Sequence, residues 1–181
     1  MLRKIVGLAG FAGSGKSTVA NIFVEEHGYT KLSFATPLKQ MLRTLDPVLD
    51  AHGTRISDVL AESDENTLKS RFPEYRRLLQ MLGTDCIRDR DPEFWIAQLD
   101  KVAQKYDKVI IDDVRFMNEA EYIWNHSGFD IGTNFVVERP GVVSESSHSS
   151  ETLPNYLKKR TITIYNDSDL EHLRKKVRDL A

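Results

Sequence analysis

The chain has 181 residues, 40% of them hydrophobic and 29% charged, with a formal net charge of −2. That length supports one well-buried domain without requiring a second. The near-neutral balance argues against a surface for a nucleic-acid polymer, and no apolar run reaches the length of a membrane span. The N-terminus leads straight into a strand-like run with no secretory leader pattern, so the expected location is the cytoplasm. The lone Cys86 has no partner for an internal disulfide and reads as a half-buried side chain without a role.

In chain order, the apolar run Ile5–Ala9 predicts a buried strand, and the glycine-rich stretch Gly10, Phe11, Ala12, Gly13, Ser14, Gly15, Lys16, Ser17 follows it at once. Val19, Ile22 and Phe23 then recur at helical spacing until His27 and Gly28 close the helix. Strand, glycine-rich loop and helix in this order form the context of a phosphate-binding P-loop. Several backbone N–H groups must meet phosphate oxygens at once, which requires a tight curl that glycines at 10, 13 and 15 permit. The helix adds its positive N-terminal end. In this reading Lys16 reaches the β- and γ-phosphates of a triphosphate, Ser17 completes the shell of a bridging magnesium ion, and Thr18 assists from the first helical turn.

Thr30–Phe34 predicts a second strand, and Pro37 opens a helix carrying Leu38, Met41, Leu42 and Leu45. From Asp46 to Arg71 the chain is highly charged with sparse apolar spacing, which predicts a mobile or peripheral insertion. Helix returns at Pro73. Asp91, Pro92 and Glu93 start another helix whose stripe is Trp95, Ile96, Leu99, Val102, Ala103 and Tyr106. Lys108–Asp112 reads as a strand buried on both faces, followed by a helix after Met117. Phe135–Glu138 and Thr161–Tyr165 predict the remaining strands, separated by a serine-rich loop and a short basic helix. A capping box from Ser168 to Glu171 opens the last helix, with Leu170, Leu173, Val177 and Leu180 inward. Alternating strands and helices predict an α/β fold with a parallel sheet covered on both faces.

Several of these segments together resemble the phage deoxynucleoside monophosphate kinase family: GLAGFAGSGKST at the start, SFATPLK at Ser33–Lys39, LQMLGTDCIRDRDPEFW at Leu79–Trp95, DDVRF at Asp112–Phe116 with Asn118 and Glu119, and HSSE at His148–Glu151. The resemblance covers nearly the whole chain. It implies a P-loop, nucleoside monophosphate kinase-like three-layer α/β/α fold with a central five-stranded, mostly parallel sheet. The core would span residues 1–35, 107–139 and 160–181, with a helical acceptor-binding insertion over 36–106 and a lid over 140–159. The implied reaction moves the γ-phosphoryl of ATP, with Mg2+, to a deoxynucleoside monophosphate.

In-line transfer between two polyanions calls for cations on both sides. Lys16, Asp113, Arg115 and Arg139 are the expected catalytic residues. Asp113 matches the family pattern and would either orient the magnesium shell with Ser17 or fix Arg115, while Asp112 reads as a strand-end acid. Arg115 suits a bidentate phosphate contact, with a salt bridge to Asp113 or Glu119 as its structural alternative. Arg88 is the preferred acceptor-phosphate ligand. Gln80 offers donors and acceptors to a base edge, Phe34 and Lys39 flank the loop after the second strand, and Trp95 reads first as core and second as a stacking surface. Arg139 stands before Pro140 and Gly141, where a closing lid would exclude water, and His148 and Glu151 would organise that lid. Asn166 lies where adenine could meet the backbone, a turn being its other reading. A dephospho-coenzyme A kinase is the nearest enzymatic alternative, although that family generally places acidic residues where this chain has Ser33–Thr36. A nucleotide-binding switch without turnover is the alternative of another class. A homodimer is left open.

Overall fold

The structure is a computed structural model that describes residues 4–127, 133–143 and 153–180. The chain divides into two compact units, one formed by residues 1–33 and 99–181 and the other by Phe34–Gln98.

The first unit holds a five-stranded sheet. Its strands are β1 (Lys4–Ala9), β2 (Thr30–Leu32), β3 (Lys108–Ile111), β4 (Asn134–Glu138) and β5 (Ile162–Tyr165), in the order β2-β3-β1-β4-β5 with all four pairings parallel. A strand buried on both faces needs an unbroken apolar run rather than alternation, and Ile5 through Ala9 and Val109 through Ile111 are all buried. Val6, Leu8, Ile110, Phe135, Val137 and Ile164 share one core with helix α1 (Lys16–His27) and helix α9 (Leu170–Arg178), through Val19, Ile22 and Phe23 on the first and Leu173 and Val177 on the second. Helices α7 (Met117–His126) and α8 (Leu153–Leu157) pack on β1 and β4. Because β1 has β3 on one side and β4 on the other, the chain leaves the carboxyl end of β1 beside connections running in opposite directions. In open α/β sheets a crevice for ligands forms at such a switch point.

Several local expectations shift; Leu170, expected to face inward on the last helix, is exposed. The second strand stops at Leu32, two residues short of Phe34. Helix α9 is capped by Asp169, whose carboxylate accepts from the His172 N–H at 2.8 Å, so the cap lies one residue beyond Ser168.

The second unit is helical: α2 (Thr36–Leu45), α3 (Ile56–Glu62), α4 (Glu65–Arg71), α5 (Pro73–Gln80), a π-helical stretch Met81–Arg88, and the start of α6 (Phe94–Ala103). The Asp89 N–H reaches back five residues to the Thr84 carbonyl at 3.0 Å, the bond that widens this last stretch. Leu42, Leu49, Ile56, Val59, Leu68 and Tyr75 form its core. The polar stretch 46–71, expected as a mobile or peripheral insertion, therefore supplies two ordered helices. Each is only two turns long and buries a narrow stripe, so it needs few apolar residues; its charge goes into capping. Asp64 accepts from Thr67 N–H at 3.0 Å, Asp58 accepts from Arg55 N–H at 2.8 Å, and Asp46 accepts from both the N–H and hydroxyl of Ser57. Cys86 is exposed rather than half-buried.

Candidate functional site

Between the end of β1 at Ala9 and the start of α1 at Lys16 the chain makes a six-residue loop on φ angles that side chains resist: 148° at Gly10, 79° at Gly13 and 102° at Gly15. A Cβ at Gly10 would collide with the Val137 carbonyl of β4, and one at Gly15 with the Asn166 amide. The loop is thus shaped by contact with the next strands as well as by its own turns. Lys16 lies across it, its ammonium donating to the Gly10 and Phe11 carbonyls at 2.7 and 2.8 Å. Ser14 is buried, and its hydroxyl has no hydrogen-bond partner among the described residues. Ala12 and Thr18 are exposed.

The carboxyl ends of β2 and β3 bring a second group alongside. The Ser17 hydroxyl donates to Asp112 Oδ2 at 3.1 Å, and the Lys31 ammonium meets that same oxygen at 2.8 Å. The next carboxylate, Asp113, turns elsewhere and accepts from the Ser33 hydroxyl at 2.6 Å. The expectation that joined Ser17 with Asp113 therefore meets a different arrangement: Asp112 is the carboxylate that touches Ser17. Successive side chains leaving a strand point to opposite sides, so only one of the pair can face α1. Glu119, buried to 2% exposure, accepts from the Arg115 and Phe116 N–H groups at 2.8 and 3.1 Å and so caps α7, while Arg115 itself is exposed.

At the end of β4, Arg139 lines a hollow with Gly10, Phe11, Ser14 and Lys158, and Lys158 pairs with Glu138. Asn166 ties β5 to the loop. Its N–H donates to the Glu138 carbonyl at 2.7 Å and its side-chain amide to the Ser14 carbonyl at 3.1 Å. The first unit thus assembles Gly10, Gly13, Ser14, Gly15, Lys16, Ser17, Asp112, Arg139 and Asn166 at one edge of the sheet. Lys31 and Ser33 were not singled out from sequence, because a three-residue edge strand is too short for alternation to reveal which way its side chains point.

The remaining candidates lie in the second unit. Phe34 is buried, and Gln80 is half-buried at the end of α5. Lys39 pairs with Glu65 at 2.8 Å, and Arg43 and Lys69 reach the same carboxylate at 3.2 Å each. Burial alone would raise the Glu65 carboxyl, but Lys39 and then Lys69 outweigh it and hold it below the ordinary carboxylate value. Arg88, although charged, is 7% exposed and donates to the Pro92 carbonyl at 3.4 Å. Trp95 is buried, donates from Nε1 to the Gly83 carbonyl at 2.8 Å, and meets Phe94 edge-on at 4.8 Å. His148 and Glu151 lie outside the described residues.

Ser17 and Asp112 are hard oxygen donors, the kind that suits magnesium. Among the described residues no three His, Cys, Asp or Glu side chains gather as a protein cage.

Comparison with known proteins adds the family. Residues 51–177 match the family model described as deoxynucleotide monophosphate kinase. A protein of Acanthamoeba polyphaga mimivirus carrying the description deoxynucleotide monophosphate kinase is 30% identical, the match covering 92% of this chain and 90% of that protein. The deoxynucleoside-5'-monophosphate kinase of Escherichia phage T5 is 26% identical over 82% of this chain and 84% of its own length. Among solved structures, a dephospho-CoA kinase from Campylobacter jejuni is 13% identical, with a TM-score of 0.47 and coverage of 99% of this chain and 96% of that one.

Proposed function

The chain belongs to the deoxynucleotide monophosphate kinase family, and from that premise we propose that it transfers the γ-phosphoryl group of ATP to a deoxynucleoside monophosphate. The observation that carries the reading is the convergence of the glycine loop, Lys16, Ser17 and Asp112 at the switch point of the sheet. Backbone N–H groups of the loop and the N-terminus of α1 receive the phosphates. Lys16 exchanges its two loop carbonyls for phosphate oxygens, and Ser17 and Asp112 would hold a magnesium ion, which would supply neutralising charge to the triphosphate.

Arg115 and Arg139 supply positive charge from beyond the ends of β3 and β4, the strands on either side of β1, where a bidentate guanidinium stabilises charge on the transferring group. Asn166 braces the loop through Ser14. In the helical unit, Lys39, Gln80, Arg88 and Phe34 are assigned to the acceptor nucleotide, and buried Trp95 to packing, through its bond to the Gly83 carbonyl. Residues 140–159 are assigned to the lid. Little covalent work falls to the protein in such a transfer, so positioning and electrostatics carry it.

The test is a coupled assay with ATP against each deoxynucleoside monophosphate, its ribonucleotide counterpart and dephospho-coenzyme A. Turnover on one or more deoxynucleoside monophosphates is expected, together with its loss in Lys16→Ala. Turnover on dephospho-coenzyme A alone, nucleotide binding without any turnover, or a Lys16→Ala enzyme of normal rate would each overturn the reading.

A further inference from the structure

Three elements of the first unit converge on a single carboxylate oxygen. Ser17 comes from the first turn of α1, Asp112 from the residue after β3, and Lys31 from the middle of the edge strand β2, where it is paired in register with Ile110. Asp112 Oδ2 receives both the Ser17 hydroxyl and the Lys31 ammonium, at 3.1 and 2.8 Å. The Asp112 side chain is only 13% exposed and that of Lys31 33%, so solvent screens this pair less than an ordinary surface contact.

The consequence follows from charge. Asp112 and Lys31 together sum to zero, and the oxygen that would attract a divalent cation is already committed to an ammonium. A free cation arriving alone finds one neutral hydroxyl and a carboxylate whose charge is cancelled, which is little return for the water that magnesium gives up reluctantly. A cation arriving on a triphosphate brings its own anionic oxygens and depends far less on the charge of that carboxylate.

Resting on the assignment of Ser17 and Asp112 to the metal shell, we propose that Lys31 is a positioning residue that serves as the built-in counter-ion of Asp112. It holds the carboxylate aimed at Ser17 and suppresses binding of bare divalent ions, so that metal enters as the metal–nucleotide complex.

The test uses the full chain and Mn2+, whose binding is read directly from loss of the free-ion paramagnetic resonance signal, without turnover. Lys31→Met keeps most of the stem and removes the charge; Lys31→Gln replaces it if Lys31→Met unfolds, as judged by its melting curve. A unit charge within a few ångströms of a divalent site, even strongly screened, alters affinity by about tenfold. Free Mn2+ should therefore bind the neutral variant about tenfold more tightly than the parent. Lys31→Arg should behave like the parent, and affinity for Mn2+ in the presence of ATP should change far less.

Asp112→Asn separates this proposal from the reading beneath it. If free Mn2+ binds the parent and Lys31→Met alike while Asp112→Asn weakens Mn2+–ATP binding, the Lys31 proposal fails and the metal assignment stands. If Asp112→Asn also changes nothing, both fall. Equal tightening for free Mn2+ and for Mn2+ with ATP would likewise overturn the proposal.

Discussion

Gly15→Ala isolates what the loop conformation is worth, because its cost divides into two parts that can be measured separately. Gly15 sits at φ 102° as the N-cap of α1, and its carbonyl accepts from the Val19 N–H at 3.0 Å, so the helix start cannot relax freely. Forcing a side-chain-bearing residue into this region costs about 1–3 kcal/mol. The added Cβ would also fall within 3.0 Å of the Asn166 amide nitrogen, closer than real Cβ atoms stand. That nitrogen is the far end of a side chain, so it can rotate away, but doing so breaks its bond to the Ser14 carbonyl, worth about 0.5–1.5 kcal/mol. The sum is about 1.5–4.5 kcal/mol of lost stability. Gly13→Ala, at φ 79° with nothing within 4 Å of its would-be Cβ, should show the backbone cost alone. The assay is urea unfolding of the parent, Gly15→Ala, Asn166→Ala and the double variant. If the clash acts through the Asn166 bond, the double variant should be no less stable than Gly15→Ala, because the second change removes a bond already broken. The coupling should then be about 1 kcal/mol. Additive costs would refute the reasoning and place the penalty entirely in the backbone.

Two further predictions concern stability elsewhere. Glu26 on α1 is held down to about 2 by hydrogen bonds from Arg178 and then Arg174 on α9, against an ordinary value of 4.5. A depressed carboxyl stabilises fully above its unfolded value and loses that contribution as pH falls through its folded one. The gap in urea midpoint between the parent and Glu26→Gln should therefore be widest above pH 4.5 and close as pH falls toward 2; a gap constant across that window would show that Glu26 is not linked in this way. Trp95→Phe should cost about 0.5–1.5 kcal/mol, since it removes the buried hydrogen bond from Nε1 to the Gly83 carbonyl, with the Michaelis constant for the acceptor little changed. Unaltered stability with a weakened acceptor constant would instead make Trp95 a substrate contact.

Much of the fold was legible because one physical signal repeats it: buried parallel strands must be continuously apolar, and Ile5–Ala9, Val109–Ile111 and Phe135–Val137 are. The glycine loop was equally plain, since Gly10, Gly13 and Gly15 take backbone geometry that no other residue adopts cheaply. The chain between Asp46 and Arg71 was harder. Two-turn helices bury too few residues for periodicity to stand out, and their acidic residues look like solvent-facing charge until Asp46, Asp58 and Asp64 are seen capping. The choice between Asp112 and Asp113 was hidden for another reason. Both end the same strand, and which one meets Ser17 depends on the pleat at a single position, information the sequence carries only through the length of β3. Lys31 was hidden more deeply still, since a lysine on an edge strand has an ordinary role in discouraging edge-to-edge pairing. Its second role depends on Asp112 of the neighbouring strand lying within its reach, a relation between residues 31 and 112 that no local window contains. The residues most open to sequence reasoning are therefore those that shape the backbone. Those that tune the charge of the site come from chain segments far apart in sequence, and only the strand order brings them together.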